Sequence, residues 1–203
     1  MPVRHATIPA ENTTGQVGYS EWAADHAITG WRDMLGQIVP RANVVTSPTW
    51  TQMGTSPFWS YLFQLNDEVW MTFHFQHDYK PASDVFLHVH WTSNGTSTAT
   101  TKWQFNWCYA KGYNQGNFDI NGGRTTTVEQ AGAGSAWRHM IAEIAVPISD
   151  LNFEVDGLLL VHIKRITNGG TNNTDSIFVQ TIDGHYQTEG FATVSKNYPF
   201  YQE

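Results

Sequence analysis

A single cysteine, Cys108, stands in 203 residues. That excludes an intramolecular disulfide framework and any zinc site built from several cysteines, and its place inside an apolar, strand-like run predicts a buried thiol, not an activated one. Charge is also scarce: Asp, Glu, Lys and Arg make up 14% of the chain, and the formal net charge is -7. A sequence-independent nucleic-acid binder needs a basic surface to displace counterions, so no nucleic-acid partner is expected. No basic-then-apolar leader opens the sequence, and no run approaches the roughly 18 apolar residues that cross a bilayer as a helix. No membrane partner is expected, and the chain is expected to be made and kept soluble in a cytosol. Heptads, internal repeats, P-loops, dinucleotide fingerprints and Gly-x-Ser-x-Gly elbows are all missing. With none of these, neither an enzymatic activity nor a cofactor is expected.

Aromatics are what the chain has in excess: 14% of residues, nine of them Trp. With so little charge, the surface must be covered largely by Thr, Ser, Asn, Gln and Gly. The length suits one substantial domain. Residues 1–55 differ from the rest of the chain, with Pro2, Pro9, Pro40 and Pro48, polar segments and little alternation. They read as an N-terminal arm, with a short helix capped by Ser20, whose Trp22, Trp31, Met34, Leu35, Ile38 and Trp50 dock on the body or on a neighbouring subunit. A plain extension of the core is the other reading.

From Phe58 the period-2 signal takes over. Residues 58–64 read as a strand, and residues 70–91 as two strands around a turn at 78–84, a hairpin around which the rest is organised. Residues 102–109 alternate without a break, with Trp103, Phe105, Trp107 and Tyr109 on one face. Residues 111–134 read as long exposed loops with a short strand at 125–129, and residues 137–146 as a weakly alternating strand. A continuous apolar strand at 157–166 leads to a hairpin loop at 168–173 and a last strand at 176–187. The predicted fold is all-β, a single jelly-roll-like β-sandwich over residues 56–203 with an extended N-terminal arm.

Histidine is where chemistry is to be sought. His88 and His90 project from one face of their strand with Phe86, and such a pair can present two imidazoles to a metal, as in the cupin jelly rolls. Those proteins continue with a glutamate, whereas this chain continues Trp91-Thr92-Ser93-Asn94-Gly95. The pair therefore reads as structural, and no metal is expected. Asp78, Asp84, Asp119, Glu129, Glu143 and Asp183 are available for glycoside hydrolysis, but spacing singles out no pair. Trp103, Phe105 and Trp107 read as core, which leaves exposed aromatics such as Tyr113 in residues 111–134 as the candidates for stacking on sugars.

Phe73, His77, Tyr79, Lys80, Asp84, His88, His90 and Trp91 together form a run that resembles a family of tailed-bacteriophage and prophage proteins, in which a strand ending in His-x-Tyr-Lys is followed by Asp and a His-x-His-Trp strand. Trp31-Arg32-Asp33-Met34-Leu35 is similar to that family's entry segment, Ala136-Trp137-Arg138-His139 to its Lys-His strand, and Asp183-Gly184-His185-Tyr186-Gln187 to its closing motif. Gln76 departs from the pattern, standing where the family usually has proline. The resemblance implies a non-enzymatic virion structural protein assembled in the host cytoplasm. In that reading it is a homotrimeric capsid decoration (cement) protein whose partners are the major capsid protein or other virion proteins. A tail or fibre component that binds a host receptor or glycan is the alternative. The interface residues it points to are Trp22, Trp31, His77, His88, His90, His139 and His185, the histidines forming a polar layer between strands or subunits.

Overall fold

The computed structural model describes residues 30–42, 45–120, 124–188 and Lys196. The expected Ser20-capped helix and Trp22 lie outside the described residues. All regular structure among the described residues is β. The strands are β1 Gly30–Leu35, β2 Val39–Pro40, β3 Thr49–Gln52, β4 Trp59–Phe63, β5 Glu68–His74, β6 Val85–Ser93, β7 Thr100–Ala110, β8 Arg124–Ala131, β9 Met140–Glu143, β10 Leu158–Ile166 and β11 Ile177–Thr188.

The pairing is nested: β4 with β11, β5 with β10, β6 with β9 and β7 with β8, all antiparallel. The first strand of these eight thus lies beside the last and the second beside the seventh, as when one long antiparallel ribbon is rolled up. The result is two sheets, β3-β4-β11-β6-β9 with β1 also on β11, and β2-β5-β10-β7-β8. This is the expected jelly-roll sandwich.

The hairpin expected at residues 70–91 is not one. β5 and β6 lie in opposite sheets, and residues 75–84 carry the chain across the edge of the sandwich. Alternation reports which face of a strand is apolar, and that face is the same whether two strands lie side by side or face each other over a core. Val69, Met71 and Phe73 of β5 and Val85, Leu87, Val89 and Trp91 of β6 are all buried in that core. The loop at 168–173 likewise joins β10 and β11 in different sheets, so it too is a crossing. Residues 111–134, expected as loops with a five-residue strand, hold the eight-residue β8, paired with β7 along its length. Its Thr-rich sequence covers an edge where one face is only half-buried, so its apolar signal is weak. The strand expected over residues 137–146 is regular only at Met140–Glu143.

Three short strands before β4 are stitched into both sheets: β1 onto β11, β2 onto β5 and β3 onto β4. Met34 of β1 reaches the core. Between the sheets, Phe63 meets Trp103 edge-on, ring centroids 5.5 Å apart, and Phe75 packs with Tyr79, Tyr109 and Phe153. Each such buried aromatic contributes on the order of 1.5–3 kcal/mol through removal from water.

A polar tie fixes the crossing from β5 to β6. Buried Asp78 accepts hydrogen bonds from the Tyr186 hydroxyl at 2.9 Å and the Thr188 hydroxyl at 3.0 Å, and pairs with Arg32 of β1 at 3.0 Å. The Lys80 N–H donates to the Gln187 carbonyl at 2.8 Å. These bonds lock β1, the crossing and the end of β11 into one unit, and so set the position of β6 beside β11.

Candidate functional site

Alternation along β6 sends Val85, Leu87, Val89 and Trp91 inward, and Phe86, His88 and His90 outward. Along β11 the inward set changes parity, from Ile177 and Val179 to Ile182 and Tyr186, because a bulge interrupts the register between Val179 and Thr181. One extra residue turns every later side chain to the opposite face. Asp183 and His185 are thereby brought outward, where a strand of strict alternation would have buried them in the core. Three rows result: Asp183, His88 and Glu143 lie in register across β11, β6 and β9; Asp33, His185 and Phe86 across β1, β11 and β6; Thr181, His90 and Ile141 beside them.

The side chains form one network. His88, 1% exposed, places Nε2 2.7 Å from Asp183 Oδ1, and His90 Nε2 lies 3.2 Å from the same oxygen. His88 Nδ1 is 3.4 Å from the Phe86 carbonyl and 3.6 Å from Glu143 Oε2. His90 Nδ1 is 2.7 Å from His139 Nε2, the two rings stacked with centroids 4.9 Å apart. His185 sits between carboxylates, Nδ1 2.5 Å from Glu143 Oε2 and Nε2 3.1 Å from Asp33 Oδ1. The distances place Asp183 Oδ1 in reach of two imidazoles, yet in direction it finds no aligned hydrogen-bond donor among the described residues. Burial works against charging His88, but the Asp183 carboxylate outweighs it and holds the imidazole above its ordinary value. For His90, burial together with neighbouring His88 and His139 wins over Asp183 and lowers it. Two adjacent imidazoles are therefore driven in opposite directions.

Of the interface residues read from the sequence, the fold brings His88, His90, His139 and His185 together. Trp31 stands at their border, its ring 5.6 Å edge-on from Phe86. His77, expected at the end of a strand, is half-buried in the turn after β5. Asp33, Glu143 and Asp183 were not singled out as members of the cluster. The spacing Asp183-x-His185, which repeats the i, i+2 geometry of His88-x-His90, is the signal that could have found two of its members. Around the network the face is apolar: Trp31 is 53% exposed, Leu35 75%, Trp137 44% and Ile141 42%.

The other sheet carries a groove of about 440 Å³ on its outer side, lined by Trp70, Asn106, Trp107, Ile120, Arg124 and His162 among others. Trp70 stacks on His162 and the Arg124 guanidinium lies over Trp107. Trp107, read as core, is half-buried here. Cys108, read as a buried thiol, is half-exposed on the groove wall, with burial and nearby Asp119 pushing its thiol up.

No protein-family model matches the chain, and no curated protein matches it. Among solved structures it is similar to a CBM35 module from Cellvibrio japonicus Abf62, at 14% identity and a TM-score of 0.40 over 73% of this chain and 91% of that one. It is also similar to a CBM61 module crystallised with beta-1,4-galactotriose, at 12% identity and a TM-score of 0.27 over 80% and 88%. A non-crystalline-cellulose-specific CBM28 module is matched at 11% identity and a TM-score of 0.32 over 75% and 85%. Likenesses at this level carry no argument about what this chain binds.

Proposed function

We propose that this chain is a non-enzymatic structural protein of a bacteriophage virion. In this reading it is a jelly-roll capsid decoration protein that assembles as a homotrimer through the outer face of its six-stranded sheet. One observation carries the reading. The segments at residues 31–35, 73–91, 136–139 and 183–187, on which the resemblance to phage virion proteins rests, are far apart in sequence, and each sends side chains to this one face: Trp31 and Asp33, His88 and His90, His139, and Asp183 and His185. The face groups the exposed apolar side chains of Trp31, Leu35, Trp137 and Ile141 beside the polar network, and exposed apolar side chains gathered on one face mark an interaction surface. That network mixes histidines with carboxylates, so copies of a chain of net charge -7 can approach there without meeting a wall of like charge. A decoration protein stabilises a shell by adding buried contacts between capsomers, which calls for adhesive faces in place of reactive groups.

Cryo-electron microscopy of intact particles tests the location, with density expected on the capsid lattice; density confined to the tail would refute the decoration role. Light scattering tests the interface: Leu35→Asp is expected to shift trimers toward monomers while leaving the melt of the sandwich intact. A second reading, a tail or fibre component that binds a glycan, draws on the groove beside Trp70 and Trp107, where aromatic faces stand among Asn, Arg and His hydrogen-bonding groups. Glycan-array binding lost in Trp70→Ala, and unchanged in Leu35→Asp, would favour it.

A further inference from the structure

We propose that His88, His90 and Asp183 form a binding site for a first-row divalent transition metal ion, for which zinc is the natural probe. Their ligand atoms, two imidazole Nε2 and one carboxylate oxygen, lie within 4.8 Å of one another. A tetrahedral ion with bonds of about 2.0–2.1 Å holds its ligand atoms about 3.3 Å apart. The observed separations of 2.7 and 3.2 Å from Asp183 Oδ1 need open by only tenths of an ångström. Nitrogen-rich donors of this kind select zinc, cobalt or nickel over magnesium or calcium.

The Phe86 carbonyl can only accept, so its contact with His88 Nδ1 requires a proton on that nitrogen. A neutral His88 then turns an Nε2 lone pair toward Asp183 Oδ1 at 2.7 Å. That oxygen, on a residue 4% exposed, has no aligned donor among the described residues. Lone pair faces lone pair unless a proton or a metal cation stands between them. The surrounding groups match what a metal-bound histidine needs on its far nitrogen. His88 Nδ1 is held by Phe86 and approached by Glu143, and His90 Nδ1 is held by His139 at 2.7 Å. His90 keeps 18% of its side chain exposed, so the site borders solvent on that side. Unlike a metal held inside a barrel, this ion would sit on the outer face of the sandwich.

The test uses the full chain, stripped with chelator, dialysed and titrated with zinc by calorimetry and with cobalt(II) by visible absorption. One ion per chain and the d–d bands of a four- or five-coordinate cobalt centre with nitrogen ligands are expected. Asp183→Asn and His90→Gln, each checked for a native melt, are expected to weaken zinc binding more than tenfold. His139→Gln, which only orients His90, is expected to weaken it roughly tenfold, and His162→Gln on the other sheet leaves it unchanged. Because the cobalt spectrum is read on the unaltered chain, the outcome does not depend on any variant folding. No 1:1 binding by the unaltered chain overturns the proposal in favour of a plain imidazolium–carboxylate pair. Binding undiminished in both Asp183→Asn and His90→Gln also overturns it, since the ion then sits elsewhere.

Discussion

Replacing Asp78 by alanine probes the tie between the sheet crossing and β11. In the native chain Asp78 accepts from Tyr186 at 2.9 Å and Thr188 at 3.0 Å, and both donors are buried. Alanine removes the Asp78 acceptor from two buried hydroxyls, at about 1–3 kcal/mol each. Arg32, with 57% of its side chain exposed, returns to solvent, so the lost ion pair adds little. The sum is a loss of roughly 2–6 kcal/mol, a large part of the stability of an ordinary domain. At about 2–4 °C per kcal/mol for a domain of this size, the melt should fall by roughly 4–24 °C. Asparagine keeps one carbonyl acceptor, so Asp78→Asn should lose about half as much. Urea unfolding followed by tryptophan fluorescence, at fixed protein concentration, reads the change as a shift of midpoint with unaltered slope. A double-mutant cycle with Tyr186→Phe should return a coupling of about 1 kcal/mol or more. An alanine variant within about 1 kcal/mol of the parent, with the same slope, would show that these hydroxyls find other partners and that the tie does not hold the crossing.

Gly112→Ala would put a Cβ 2.1 Å from the Asp156 carbonyl oxygen, a backbone atom that cannot swing aside; a drop of about 1–3 kcal/mol is expected in thermal melts. Arg165→Ala removes the donor to the Phe63 and Asn173 carbonyls inside the sandwich. Leaving these two buried carbonyls without that charged donor should cost about 2–6 kcal/mol by urea unfolding. For Asp150, burial pushes the carboxyl up, but Asn152 and Arg124 outweigh it and hold it below the ordinary value. Its stabilising share is therefore present above the unfolded carboxylate value of about 3.9 and is lost as pH falls through the lower folded value. Melts of the parent and Arg124→Gln should differ at pH 7 and converge at the acid end of a pH series.

The strand faces were legible because period-2 alternation depends on local sequence alone: Phe73, Leu87, Val89, Trp91, Trp103 and Phe105 all occupy the core that their spacing implies. Partnership was not legible. Residues 70–91 carry no local mark that distinguishes a hairpin from a crossing, since the choice is made by distant β10 and β11 competing for the edges of β5 and β6. The candidate site divides in the same way. His88 and His90 share a face by spacing, whereas Asp183 and His185 reach it only through the bulge after Val179, which strict alternation cannot register.

That bulge also explains why the polar centre is a recess and not an open sheet face. Before it, β11 pairs at one edge with β4, through Ile177, Phe178 and Val179. After it, the same edge is taken by β1, through residues 183–188. The change of partner brings Trp31, Asp33 and Leu35 alongside the newly outward Asp183 and His185, and β9 closes the other flank with Ile141 and Glu143. Asp183 is buried on what would otherwise be a solvent face because a strand from the N-terminal segment walls it in. The segment at residues 30–35 thus contributes Met34 to the core and, through its alternate residues, one side of the site. Fold and site draw on opposite faces of the same six residues, so a substitution there can be read cleanly only when the inward position, Met34, is left untouched.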